Sequence, residues 1–293
     1  MVTLLPSRTL SVHSPNHSAC GRLLFILKFG VVHTSPGVVR AQGWLCALMM
    51  ASCLFAALPV ATAQAETIQV AVAANFSTPL KAIASAFEVD TRHKVLMSSG
   101  ATGKLFAQVT SGAPFEVFLS ADEATVAQLE KSGHAVAATR FTYATGRLAL
   151  WSASASGVDA DGAVLKSGSF AKIALASPKA APYGAAAIET LTRLGLLDLL
   201  APKLVTGESI GQTYSFVATG NAPLGFVALS QVMENGKLKS GSVWVVPANL
   251  HQALRQDAVL LAPGKTNAGA VAFLQYLKSD KALTIIRSFG YAQ

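Results

Sequence analysis

Four short stretches of this chain place small residues, Ser, Thr or Asn, and often glycine, where a strand-like run gives way to a helix-like one. They are Ala74-Asn75-Phe76, Ser98-Ser99-Gly100-Ala101-Thr102-Gly103, Ser177-Pro178-Lys179-Ala180-Ala181-Pro182-Tyr183-Gly184 and Gly207-Glu208-Ser209-Ile210-Gly211. The first N–H groups of a helix have no carbonyl partner within it, and the helix dipole adds partial positive charge there. Such a start binds an anion without a charged side chain. In an open α/β sheet, ligands gather at the carboxyl ends of strands, so four converging joints would form a neutral, polar pocket for an oxyanion. Taken singly, Asn75, Thr102 and Ser209 read as helix N-caps, a role in which these residue types are common. The two readings are compatible, because capping and anion binding use the same donors.

Other chemistries find less support. The glycine-rich second joint lacks the Gly-Lys-Ser/Thr ending of a phosphate loop, since Gly103-Lys104 is followed by Leu105. Gly207 to Gly211 spells G-x-S-x-G, the nucleophile-elbow pattern of α/β-hydrolases, which would make the chain a secreted serine hydrolase with Ser209 as nucleophile. Its partners fail: His251 is the one histidine after Ser209, and the acid candidate Asp257 follows it, reversing the required order. His93, His134 and His251 are too far apart in sequence to suggest a metal site. Asp122-Glu123 reads as a helix start, where negative charge suits the dipole.

The segment 1–65 reads as a leader. Arg40 precedes an apolar run from Trp44 to Ala61, which ends in Ala63-Gln64-Ala65, the small-x-small pattern of a cleavage site. Residues 1–37 have no clear periodicity and read as an upstream extension of the true start. Cleavage after Ala65 would leave 293 − 65 = 228 residues and put the protein in the periplasm. It would remove Cys20, Cys46 and Cys53, all the cysteines, and with them disulfides, thiol nucleophiles and thiolate metal sites. It would also remove Arg8, Arg22, Lys28 and Arg40 and lower the net charge from +8 to +4. The remaining Lys and Arg are scattered without aromatic interleaving, which argues against nucleic acid.

The rest alternates strand-like and helix-like segments. Strands are expected at Ile68–Ala73, Val95–Ser98, Phe115–Ser120, Leu148–Trp151, Ile173–Ala176, Leu224–Ala228, Trp244–Val246 and Val259–Leu261. Helices are expected at Pro79–Glu88, Lys104–Val109, Glu123–Lys131, Tyr183–Leu194 and Gly211–Thr219, with one or two over Asn267–Ser288. Leu80, Ile83, Ala84 and Phe87 fall on one face of the first. Ser152–Gly168, rich in Ser, Ala, Gly and Asp, reads as a mobile surface loop. This alternation argues for α/β architecture with mostly parallel sheets flanked by helices.

Five stretches carry a family likeness: V-A-A-N-F at 72–76, S-S-G-A-T-G-K-L at 98–105, S-G-A-P-F-E-V-F-L-S-A-D at 111–122, S-P-K-A-A-P-Y-G at 177–184 and N-A-P-L-G-F-V-A-L-S-Q at 221–231. In order and spacing they resemble the periplasmic molybdate-binding proteins of ABC transporters, the ModA type. The resemblance implies a two-lobed periplasmic-binding-protein fold of type II, each lobe a mixed, mostly parallel sheet flanked by helices. Lobe one would hold 66–144 plus 245–293, and lobe two 145–244. Two crossing strands would join them, near Tyr143–Arg147 and Ala228–Val246. It also implies a molybdate or tungstate site in the cleft. There Asn75 and Thr102 donate from side chain and main chain, and Tyr183 and Ile210 donate mainly from backbone N–H. Ala74 and Ala101 adjoin them as backbone donors. Molybdenum would enter as the oxyanion, with no direct protein–metal ligand, no separate cofactor and no catalysis. The implied partner is an ABC permease in the inner membrane, served by a monomer. Some members place a Tyr in the strand after A-P-L-G; here that position is Ala228, with Tyr183 as the compensating residue. Sulfate, thiosulfate or another oxyanion is the alternative ligand.

Overall fold

The computed structural model describes residues 65–292. The leader and the three cysteines lie outside them. Twelve strands are labelled in chain order: β1 (Thr67–Ala73), β2 (Lys94–Gly100), β3 (Val117–Leu119), β4 (Phe141–Gly146), β5 (Leu148–Ser152), β6 (Ile173–Ala176), β7 (Leu204–Gly207), β8 (Leu224–Ala228), β9 (Met233–Glu234), β10 (Lys237–Leu238), β11 (Ser242–Val245) and β12 (Leu254–Leu260). The longer helices are α1 (Ser77–Thr91), α2 (Thr102–Thr110), α3 (Glu123–Lys131), α4 (Pro182–Arg193), α5 (Ile210–Ala218), α6 (Ala268–Tyr276) and α7 (Asp280–Ser288).

Two five-stranded sheets result, ordered β2-β1-β3-β12-β4 and β11-β5-β8-β6-β7. In the first, β12 alone runs against the others; in the second, β5 does. The chain passes from the first sheet to the second through the single residue Arg147, and returns between Val245 and Leu254. A small hairpin, β9–β10, turns at Asn235-Gly236, both with positive φ, as a tight primed turn requires.

The elements follow from the residues. In β1 the run Val70 to Ala73 is buried throughout, as expected for an interior parallel strand covered on both faces. Helix α1 buries Leu80, Ile83, Ala84 and Phe87, the face read from the sequence. It stops at Arg92, whose left-handed backbone lets its N–H reach the Glu88 carbonyl. Helices α6 and α7 return to the first sheet, where Phe273 and Ile286 join Ile68, Val70 and Phe87 in one core. Phe87 and Phe273 meet edge to face at 5.1 Å. A second core forms around Leu148, Leu150, Ile173, Leu175 and Phe226 of the other sheet.

Some expectations need correction. Phe141–Gly146 and Leu204–Gly207 are full strands. Their mixed Thr, Ala, Gly and Tyr content hides the alternation that would reveal them. The strand expected at Val259–Leu261 starts five residues earlier, at Leu254, because the polar Arg255-Gln256-Asp257 continues the ladder through a register shift between Gln256 and Asp257. Asn267–Ser288 divides into two helices, the second capped by Ser279. Within Ser152–Gly168 there is a helical turn, Val164–Ser167, and the Asp159 carboxylate accepts from the N–H groups of Asp161, Ala163 and Val164.

Gly146 ends β4 just before the crossing. A Cβ there would overlap the Tyr183 hydroxyl and the Gln256 amide. Gly146→Ala is therefore expected to destabilise the protein by about 1–3 kcal/mol, the usual cost of overpacking. Chemical denaturation of the two proteins measures it, and equal midpoints would contradict the crowding.

Candidate functional site

The four joints meet. Strands β1, β2, β6 and β7 point their carboxyl ends at one place, and the helical segments that follow begin there. A small cavity of about 10 Å³ lies between them, lined by Ala73, Ala74, Asn75, Gly100, Ala101, Thr102, Ala121, Ala181, Pro182, Tyr183 and Ile210. Pockets for drug-sized molecules usually run from about 300 Å³ upward, so this one admits only a very small ligand. No charged side chain belongs to the lining. A larger hollow, about 350 Å³, lies beside Phe141, Tyr143, Leu277 and Leu283, where apolar side chains dominate. It lacks the converging helix starts.

All six residues expected at the site are in this wall: Asn75, Thr102, Tyr183, Ile210, Ala74 and Ala101. Asn75 and Thr102 are not N-caps. Asn75 is the middle residue of the 3-10 turn Ala74–Phe76, and Thr102 is the first residue of α2, whose cap is Ala101. Neither side chain bonds a backbone N–H of its own helix start. Thr102 Oγ1 instead accepts from Ala121 N–H at 3.2 Å, which leaves the hydroxyl proton for another acceptor. Ser209 is a true cap, its Oγ accepting from Gln212 N–H, so the elbow serine is engaged in helix geometry. His251 bonds Gln252 O and lines a different hollow, with Gly146, Arg147 and Pro247. Among the described residues no cluster of His, Cys, Asp or Glu could hold a metal ion. Asp122 caps α3, as read.

Tyr183 is the second residue of α4, behind Pro182 at a position where a missing N–H costs nothing. Its own N–H is one of the helix's orphan donors. Gly184 lets this start press on the end of β6, since a Cβ there would strike the Ala176 carbonyl. Ile210 opens α5 in the same way, and its carbonyl accepts from Gln231 Nε2.

Contacts also join the two sides of the cavity. Gly103 N–H donates to Ala180 O at 3.0 Å, and Ser230 Oγ donates to Asn75 O at 2.9 Å. Lys104 Nζ lies 2.6 Å from Glu208 Oε2 on the exposed rim. The hydrogen bond from Lys104 holds the Glu208 carboxylate below its ordinary range. The one carboxylate within the four joints is thus already paired.

Behind the wall lie residues that the sequence did not single out. Gln256 is fully buried and its Nε2 is 3.0 Å from the Tyr183 hydroxyl. Its Oε1 is 2.8 Å from Asn75 Nδ2 and 2.9 Å from the Tyr143 hydroxyl. Tyr291 bonds both Asn75 Nδ2 and Asn75 O, each at 3.0 Å. Gln256 sits in the polar run Arg255-Gln256-Asp257, which gave no local signal of a buried site residue. Tyr143 and Tyr291 gave none. Ala228, where some relatives of the resembled family hold a Tyr, is buried at the end of β8 and outside the cavity wall.

Three tyrosines of this cluster are kept neutral. Burial raises the phenols of Tyr143 and Tyr183 well above their ordinary 10.0, and pushes Tyr291 up to about 12. The folded protein therefore keeps protons that the unfolded chain releases near pH 10, so stability falls as pH rises from about 10 toward 12. Denaturation midpoints across that range should decline, and the tyrosinate absorbance of the folded protein should lack these three phenols. Early ionisation of all five tyrosines would contradict the burial.

Comparisons with known proteins agree with this geometry. The profile of the bacterial extracellular solute-binding protein family matches residues 68–292. The molybdate-binding protein ModA of Azotobacter vinelandii is 56% identical over 238 residues, covering 81% of this chain and 94% of the relative. The ModA protein of Rhodobacter capsulatus is 49% identical, covering 87% and 97%. Among solved structures, a periplasmic molybdate-binding protein of Azotobacter vinelandii superposes with a TM-score of 0.75 at 41% identity, covering 77% of this chain and 99% of that one.

Proposed function

The chain belongs to the bacterial extracellular solute-binding proteins, within the molybdate-binding ModA family, and from this we propose that it captures molybdate, and tungstate with it, for an ABC transporter. It is a binding protein and not an enzyme. The observation that carries the ligand is the small cavity walled by four helix starts and no charge.

Molybdate is a tetrahedral dianion that only accepts hydrogen bonds. It asks for donors on every side and no acceptor. The Thr102 hydroxyl, the Asn75 amide and the N–H groups at the starts of α2, α4 and α5 and of the Ala74 turn are such donors. Each hydrogen bond to a charged group contributes about 1.5–3 kcal/mol, and nanomolar binding needs about 12 kcal/mol net. Several must act together to exceed the cost of desolvating a dianion. Sulfate presents the same acceptors, so discrimination rests on size. Hydrogenphosphate brings a proton that needs an acceptor, and the nearby carboxylate, Glu208, is taken by Lys104.

The expected lobes, 66–144 with 245–293 and 145–244, would close on the anion by a hinge motion at the crossings; one sheet lies largely in each, with Thr145 and Gly146 pairing in the first sheet and Val245 in the second. The protein acts as a monomer in the periplasm, after cleavage following Ala65, and delivers the anion to the permease in the inner membrane.

Calorimetry with molybdate, tungstate and sulfate tests the assignment. The first two should bind with matching stoichiometry and sulfate at least a hundredfold more weakly. Absent molybdate binding, or sulfate binding as tightly, rejects it. Thr102→Ala and Asn75→Ala should each weaken molybdate about tenfold to a hundredfold, one charged hydrogen bond apiece, with the protein still folded. Unchanged affinity in both would confine them to structural roles.

A further inference from the structure

The first turn of α2 carries a lysine where helix electrostatics argue against one. Lys104 follows Thr102 and Gly103 at the start of the helix, and no acidic residue stands in that turn to offset it. Positive charge at a helix start is opposed by the dipole. The compensating charge comes from another joint. Lys104 Nζ is 2.6 Å from Oε2 of Glu208, which precedes the Ser209 cap of α5. A carboxylate just ahead of a helix suits the dipole there. The lysine is therefore satisfied only while the second and fourth joints stand together.

The same turn makes a further contact across the cavity. Gly103 N–H donates to Ala180 O at 3.0 Å. A Cβ on Gly103 would stand 3.3 Å from the Ala180 Cα and carbonyl oxygen, closer than side chains ordinarily come. Residues 103 and 104 thus meet the third and fourth joints at once. Lys104 lies two residues beyond Thr102, and Glu208 two residues before Ile210, both of which line the cavity. The pair itself stays outside that lining, with side chains 54% and 73% exposed. One charge falls in each of the proposed lobes, so the pair spans the rim without entering the site.

We propose that Lys104 and Glu208 form a latch across the rim that holds the lobes closed and sets how long the anion stays bound. The pair exists while the lobes are together and is lost when they part, so its energy is felt in the rate of release. Neither side chain touches the ligand; both act through the closed state. The inference rests on the two-lobed oxyanion reading and adds the residues that time release.

The test follows radiolabelled molybdate leaving the purified protein during a chase with excess unlabelled molybdate. Lys104→Met and Glu208→Gln should each speed release about two- to fivefold, the scale of an exposed ion pair. The double variant should release no faster than either single one, because the second substitution removes a charge that has already lost its partner. Release from the wild type should quicken as ionic strength rises, and release from the double variant should not. Unchanged release in either single variant of a protein that binds molybdate overturns the latch and leaves the ligand reading standing. So does a double variant whose acceleration is the product of the two single ones, or a wild type as insensitive to salt as the double variant. A wild type that binds no molybdate would instead reject the ligand reading, and the proposal with it.

Discussion

An ion taken out of water must find its lost hydrogen bonds again, and here it must find them among neutral groups. That requirement governs the architecture. Neutral donors of sufficient density occur where helices begin, because the first N–H groups there have no internal partner. To aim several helix starts at one point, the preceding strands must run side by side in the same direction. Parallel strands in turn need helical crossovers, which cover the sheet on both faces and explain why β1 is apolar almost throughout. The cavity is thus a consequence of the sheet order, and the side chains of Asn75 and Thr102 form part of its wall.

One sheet alone cannot surround a tetrahedral anion. Its strand ends supply donors from one hemisphere. The second sheet repeats the arrangement of the first, with a single reversed strand in each, and lines the other side of the cavity. The hydrogen bonds that join the two sides beside the cavity are mostly backbone or neutral, such as Gly103 to Ala180 and Ser230 to Asn75. The rim pair Lys104–Glu208 is exposed, where an ion pair contributes little.

The sequence made much of this legible. Long apolar runs revealed β1, β6 and β8, and the 3.6-residue pattern in α1 predicted its buried face correctly. The small-residue joints could be read because their chemistry lies in the backbone, and glycine, proline and small side chains are the local signs of such backbone use. What stayed hidden was either irregular or remote. β4 and β7 lack alternation, and β12 shifts register at Gln256–Asp257. Gln256, Tyr143 and Tyr291 reach Asn75 from distant segments, and no local pattern foretells that four polar side chains will meet behind one wall. The expected capping role of Asn75 and Thr102 failed for a related reason: a cap is a local inference, and both residues are oriented by partners far along the chain.

The first sheet is discontinuous in sequence, and this has a kinetic consequence. β5 to β11 are consecutive, so the second sheet is complete in one stretch of chain. The first sheet is interrupted: β12, which joins β3 to β4, is made only after the entire second sheet. Pairings of such sequence separation carry a large loop-closure cost and form slowly. A chain emerging from its amino terminus therefore holds β1 to β4 unfinished until nearly all of it is available. The half that lines the cavity with Asn75 and Thr102 cannot complete its sheet before β12 is available.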